Sequence, residues 1–540
     1  MRRSFTIWLL ILFIANAAHS TTFYIDRKTG NDADDGLSRK TAWRTLKKAS
    51  GRKYRSGDRL LLRKGCRFTG KLLLQAKGTA EDPVIVRAYD AAGGNASLPA
   101  INAKGFLAGV HLRNCHHVVL QDIEITADGG EPLDRSNKHH RYGVYVQATG
   151  WHSTSHITLK DLFIHDIYPA AGSESEGRNP TTHKGTAIAI RGSGKSSDFL
   201  VEDCRIERTG FKAIAMSQIR QVKVLNNRMK DIGGPAIQPG RVDGLIVRGN
   251  IVDGSGSYID PRMHGRGSGI WPWTSNRVLI EKNTFMHARG KADSCGVHID
   301  FNCKDVIVQY NLSYDNEGGF IEILGNNYNC AYRYNISIND GARVKGKNGA
   351  HQEGKVLWTS GFVGKGKKKE GPFSSYIYNN TIYVGENSRS CFSIAPTTKG
   401  LLIANNIFHI AGRTENVLGD QDLRTDKRVT RIPGAMVKNN VYLNRSVLPA
   451  TLPVREQNMI IGDCRFANPG SSNPADYIPR NEAFVRNKGI PIHRLAGDPK
   501  GIKIGLRVRG DFFGNPITGL PDLGAVEIPQ QSSLPDKAAP

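Results

Sequence analysis

Cysteine is scarce and scattered in this chain. Cys66, Cys115, Cys204, Cys295, Cys303, Cys330, Cys391 and Cys464 form no Cys-x-x-Cys pair, which excludes the usual zinc frameworks. Cys303 and Cys330 fall on neighbouring repeats and could pair after export; buried free thiols are expected for most of the others. Long apolar runs are absent beyond the first twenty residues, so no membrane anchor is expected. The one run, FTIWLLILFI, follows Arg2 and Arg3 and precedes Ala18-His19-Ser20, the pattern of a secretory signal cut before Thr21. No cysteine follows that cut, so a lipoprotein anchor is not indicated, and the expected location is secreted or periplasmic. Helical periodicity is missing between the strand-like segments, which excludes βαβ units and leucine-rich repeats.

Acids are also short: 49 Asp and Glu face 74 Lys and Arg, for a formal charge of +25. A basic exported chain suits an anionic partner, such as an acidic or sulfated polysaccharide or a cell surface. A basic surface without functional meaning is the alternative. Nucleic acid is not expected outside the cytoplasm, and the chain has no zinc-finger or RNA-binding signature.

What is present is a repeat. An asparagine-like position recurs inside short apolar strands: Cys204, Asn227, Asn250, Asn283, Asn311, Asn335, Asn380, Asn406 and Asn440, with Asp122 and Asp161 as earlier members. The shortest spacing is 23 residues, and longer ones read as that unit plus loops. A unit of this size, built from β-branched and aromatic strands with Gly, Asn and Asp at the bends, is a solenoid. The expected fold is all-β, a right-handed parallel β-helix whose asparagines hydrogen-bond from coil to coil. Asn311 and Asn335 also fit glycosylation sequons, with the ladder the stronger reading. TAWRTLKKAS, residues 41–50, reads as a helix capping the N-terminal end. The organisation expected is a signal over 1–20, an N-terminal cap and first coils over 21–100, repeats with the active-site face over 101–445, a C-terminal cap over 446–527 and a disordered tail over 528–540.

The repeat gives meaning to two acids. Twelve to fourteen residues before the recurrent asparagines stands an isoleucine: Ile190, Ile214, Ile237, Ile270, Ile299 and Ile321. Stacked inward, these place the next residue of each strand outward: Arg191, Ala215, Gln238, Trp271, Asp300 and Glu322. Asp300 and Glu322 are thereby expected side by side on successive coils, about 4.8 Å apart at the backbone. Retaining glycosidases hold two carboxyl groups at about 5 to 5.5 Å, and inverting ones at roughly 6.5 to 9.5 Å. Trp271 and Trp273 could stack on a sugar or pack under a loop. His298 could bond a hydroxyl or the acid, or be structural. Arg191 and Lys212 could meet a substrate carboxylate or sulfate. The loop from Gly341 to Phe373, with KGKKKEG inside it, could overhang the face. Two other readings of the acids stay open: solvated surface, or a structural calcium site completed by Asp315 or Glu317. Asp26, Asn31, Asp32, Asp34 and Asp35 read as Asx-turns rather than calcium ligands.

TFYIDRKTGNDADDGLSRKTAWRTLKKA, GDRLLLRKGCRF and the C-terminal GDFFGNPITGLPDLGAVE resemble the closing segments of secreted bacterial β-helix enzymes, a group that includes pectate-lyase-like enzymes and glycoside hydrolases. HIDFNCKDVIVQYNLSYDNEGGFIEILGN is similar to the active-site coils of the family 120 β-xylosidase and family 141 fucosidase and xylanase types. That resemblance implies Asp300 as nucleophile and Glu322 as acid/base; no cofactor is expected beyond a structural calcium. The function expected is a monomeric, retaining glycoside hydrolase acting on a plant or algal polysaccharide or its oligosaccharides. A polysaccharide lyase using Lys212, Arg191, Arg343 or His298 is the alternative, and a non-catalytic carbohydrate-binding protein is a third.

Overall fold

Short extended segments that bury alternate side chains cannot be satisfied alone, and here each lies parallel to its counterpart one coil away. The computed structural model describes residues 20–90, 96–129, 140–169, 184–417 and 431–528. Apart from Ser20 and Ile528, the expected signal and tail lie outside them. Among these residues the strands form a 19-stranded, a 14-stranded and a 4-stranded sheet. The second sheet keeps strict coil order, for example Arg205–Thr209, Arg228–Ile232, Ile251–Ser255 and Thr284–Met286, each parallel to the next. The chain is a parallel β-helix. Its interior is a continuous aliphatic core, with Ile188, Ile214, Ile237 and Ile270 in one column.

The turn between the first and second sheets carries the asparagine ladder. Asn227, Asn250, Asn283, Asn311, Asn335, Asn380 and Asn406 each donate their amide to the next rung at 2.9–3.0 Å, and their backbone N–H to the same oxygen. Both reach Asn440 and end on Glu456, which takes the Asn440 N–H and amide. The residue before each rung is left-handed, φ 50–60° at Asn226, Asn379, Asn405 and Asn439 and 70° at Gly249. Asn and Gly adopt that conformation with least strain, which accounts for the NN and GN pairs in the sequence.

Leu46–Ser50 is helical, capped by Thr45, whose hydroxyl accepts the Lys48 N–H, and Leu46 and Ala49 point into the core. Asp26, Asn31 and Asp35 accept backbone N–H groups in turns, Asp32 accepts the Arg44 and Thr45 N–H groups from the start of the helix, and Asp26 also pairs with Arg63. The C-terminal segment runs back across the outer face of the first sheet. Arg333 and Tyr378 donate to carbonyls of Gly505 and Leu506, and Ile307, Tyr376 and Leu402 pack against Leu495, Ile502 and Val508. The Cys303–Cys330 bridge is not formed: all eight cysteines are free and buried. Cys303 donates weakly to the Pro272 carbonyl and Cys330 to the Tyr328 carbonyl, as small core residues do.

Asn311 accepts two hydrogen bonds from Asn283 and donates to Ile280, Gln309 and Asn335. Asn311→Ala leaves these buried groups unpaired at about 1–3 kcal/mol each. We expect amide exchange at Asn283 to accelerate at least 100-fold; unchanged protection would show that the ladder carries no stability.

Candidate active site

Glu322 lies on Gly319–Ile323, the first strand of the four-stranded sheet, between inward Ile321 and Ile323. Its partner on the following coil is Trp358 of Lys355–Thr359. On the preceding coil Cys295 pairs with Gly319 and Ile299 with Ile323, which sets His298, not Asp300, beside Glu322. Ile270 pairs with Val297, so Trp271 precedes His298. The observed outward column is Ala189, Ala215, Gln238, Trp271, His298, Glu322, Trp358 and Ser393. Asp300 stands two residues further on, behind Arg191, Ser217, Gly240 and Trp273.

The expected lateral pairing of Asp300 with Glu322 is therefore corrected to a diagonal one. Both Val297 and Ile299 are inward, as are Ile188 and Ile190. A slip of one residue would turn every side chain to the wrong face, whereas a slip of two leaves the apolar pattern intact. Two residues along a strand and one rung across put the two backbones about 8 Å apart.

His298 fills the gap. Its Nδ1 is 3.2 Å from Glu322 Oε2 and its Nε2 3.9 Å from Asp300 Oδ1, close but not aligned as hydrogen bonds. Its ring stacks on Trp271 at 4.3 Å. The Trp271 indole N–H donates to Asp300 Oδ2 at 2.8 Å, and the Phe301 N–H to Oδ1 at 2.8 Å. Trp273 lies over Gly240, where an added Cβ would meet the indole at 2.5 Å, so only glycine admits it. Phe362, from the loop after Lys355–Thr359, meets Phe301 edge-on beside Asp300.

Four residues not singled out from the sequence complete the cluster. Asp293 faces His298 and is held by Arg266. Cys295 donates its thiol to Glu322 Oε2 at 2.9 Å. Lys355 and Trp358 stack together, with the ammonium 3.8 Å from the ring centroid. The KVLWT run around them has strand character, but the long interval between Asn335 and Asn380 hid its place in the repeat. Arg343 ties the cover down, donating to the carbonyls of Asp293, Gly290 and Gln352. Glu322 and His298 are 1% exposed and Asp300 is 8%, so Asp300 is the more accessible carboxylate.

Burial raises the Glu322 carboxyl to about 7, with His298 offsetting part of the rise. Burial alone would lower His298, but the carboxylates of Glu322, Asp300 and Asp293 lift it to about 9. Burial lowers Lys355 to about 8 against the pull of Glu322. Burial would also raise Asp293, but Arg266 and His298 outweigh it and hold the acid below its usual value. Asp293, His298 and Glu322 each offer a ligand atom within 4.8 Å of the others. A transition ion wants every donor at about 2.0–2.2 Å, and Arg266, Arg343 and Lys355 already set positive charge against these acids. Asp315 and Glu317 turn to Arg289 instead.

Arg191 and Lys212 are not brought to this cluster. Arg191 lies four coils before Asp300, about 19 Å along the axis, and bonds the Tyr142 hydroxyl at 3.1 Å. Lys212 lies over Phe211, and burial lowers it to about 8. Beside the acids, beyond Arg266 and Arg343, opens a cleft of about 1230 Å³.

The family model described as right handed beta helix region matches residues 102–285. The lacto-N-biosidase of Bifidobacterium longum subsp. longum is 25% identical over 94% of this chain but only 36% of its own length. The chain thus spans little more than a third of that curated relative. The GH136 lacto-N-biosidase of Eubacterium ramulus, solved as its selenomethionine derivative, superposes with a TM-score of 0.51 and 18% identity, covering 82% of this chain and 68% of that one. XylC in complex with xylose superposes at 0.50 with 12% identity, covering 95% and 99%. These likenesses establish the architecture: a right-handed parallel β-helix, a fold shared with enzymes that act on sugars. No helix among the described residues is long and apolar enough to cross a membrane.

The raised carboxyl sets a pH signature. Glu322 holds its proton more tightly folded than unfolded, so its stabilising contribution is full below about 4.5 and is lost as pH rises towards about 7. Glu322→Gln mimics the protonated form. The variant should therefore gain stability relative to the natural protein between pH 4.5 and 7 in chemical denaturation. A pH-independent difference would show that Glu322 titrates normally.

Proposed function

We propose that this chain is a glycoside hydrolase, exported from the cytoplasm, which cleaves a polysaccharide or oligosaccharide on the outer face of its β-helix. The observation that carries this reading is a pair of carboxyl groups on either side of one buried imidazole, 3.2 Å and 3.9 Å from its two nitrogens. Asp300 accepts the Trp271 indole N–H on one oxygen and the Phe301 N–H on the other, while burial raises the Glu322 carboxyl to about 7, leaving it a proton to give. Glycosidic cleavage needs that division of labour, an acid for the leaving oxygen and a carboxylate for the anomeric carbon or its water. Trp271 and Trp273, both partly exposed, flank Asp300 and suit the apolar face of a pyranose. The relatives named above, two lacto-N-biosidases and a xylose-bound protein, agree with an oligosaccharide substrate. A plant or algal glycan remains the substrate class we favour.

Asp300→Asn and Glu322→Gln should each lower turnover by about 100-fold or more with the fold retained by circular dichroism. Near-normal activity in either would remove that residue from the chemistry. Products should be reducing sugars without ultraviolet absorbance; an absorbing, unsaturated product would instead establish a lyase, and binding without product a non-catalytic protein.

Stereochemistry tests the pairing itself. Retention was expected for lateral neighbours, but a diagonal pair with backbones about 8 Å apart is spaced more like the acids of an inverting enzyme. Proton NMR of the first-formed anomer should show inversion if Asp300 and Glu322 work together. Retention would require a closer pair, and Asp293, which offers an oxygen within 4.8 Å of Glu322, is the carboxylate at hand; Asp293→Asn would then be as inactive as Glu322→Gln.

A further inference from the structure

The 1230 Å³ cleft shares Arg266 with the acid cluster: that guanidinium binds Asp293 and lies 5.7 Å from the Trp271 ring centroid. Six lysine and arginine side chains line it against two acids, Asp315 and Glu317. Four of the six are occupied. Arg266 is held by Asp293, Arg289 by Asp315 and Glu317, and Arg389 by Glu353 and Glu415, while Arg343 donates to backbone carbonyls.

Lys291 and Lys347 differ. Both are exposed, and neither has a carboxylate within ion-pair reach among the described residues. The fold nevertheless draws them to one lip. The His351 N–H bonds the Lys291 carbonyl, and the Lys291 ammonium lies 3.6 Å from where a Cβ on Gly349 would stand, at the end of the turn that begins with Lys347. Two like charges converging on a cleft repel each other unless an anion enters. Tyr258, 69% exposed, offers a ring at the same cleft.

We propose that this cleft binds the anionic group, a sulfate or a carboxylate, of a saccharide whose scissile bond lies at the Asp300 cluster, with Lys291 and Lys347 as the charge-recognising residues. This rests on the hydrolase reading and deepens it: the substrate is an acidic glycan, recognised here rather than at Arg191 and Lys212.

The test is binding by calorimetry to the full-length Asp300→Asn protein, which uncouples recognition from turnover. The probes are an oligogalacturonate, a sulfated galactan oligosaccharide and a neutral xylo-oligosaccharide of equal length. We expect one anionic probe to bind at least tenfold tighter than the neutral one at low salt, the favoured probe distinguishing carboxylate from sulfate. Raising the salt should shrink the ratio. Adding Lys291→Ala and Lys347→Ala should bring it to about one, and Lys291→Glu should carry it below one. Equal binding of all three probes, or a preference that survives loss of both lysines, overturns the proposal. Failure of the hydrolase reading shows separately, as absence of product from the natural protein whatever the binding ratio.

Discussion

From Asn227 to Asn440 each coil is fixed to the next by the amide of a buried asparagine. That side chain presents one acceptor and two N–H groups, and each rung uses all of them, taking two bonds from the coil before and giving to its own coil and the next. A buried amide with a partner missing costs more than an apolar residue would, so the array is favourable only when complete. Completeness fixes the height of every coil. It fixes also which strands are neighbours, and so which side chains meet on the outer face.

The acid cluster depends on that alignment. Asp293 and Asp300 flank His298 on one coil and Glu322 comes from the next, so the three converge on one imidazole because those two coils sit one rung apart. Three acids in such a pocket would be untenable alone. His298, Arg266, Arg343 and Lys355 set positive charge against them, and Cys295 gives Glu322 a weak donor. Burial and charge then act in opposite directions on different members. Asp293, tied to Arg266, stays ionised, while Glu322, paired only loosely, keeps its proton to near neutral pH. The difference arises from contacts rather than from residue type, since both are carboxylic acids.

Much of the fold was legible in the sequence because its determinants are local and repeated. The asparagine positions, the short helix within residues 41–50 and the alternation of strands all follow from short-range chemistry. The presence of Asp300, Glu322, His298, Trp271 and Trp273 on one face followed too, since strand parity decides it. Register was not legible. Val297 and Ile299 are equally apolar, so the alternation does not choose between them. Lys355 and Trp358 stayed hidden inside an unusually long coil. Arg191 and Lys212 were misplaced because basic residues on one face need not share a coil.

Glu456 has a consequence for assembly. A stack of parallel coils is open-ended, and an exposed last coil would offer its unpaired edge and a free amide to the first coil of another molecule, a route to fibres. An asparagine at the final rung would leave the array extensible. A carboxylate accepts from Asn440 and Tyr442 but has no N–H to pass on, so the polarity of the array stops with it. The chemistry that sets the spacing of the solenoid also sets its length.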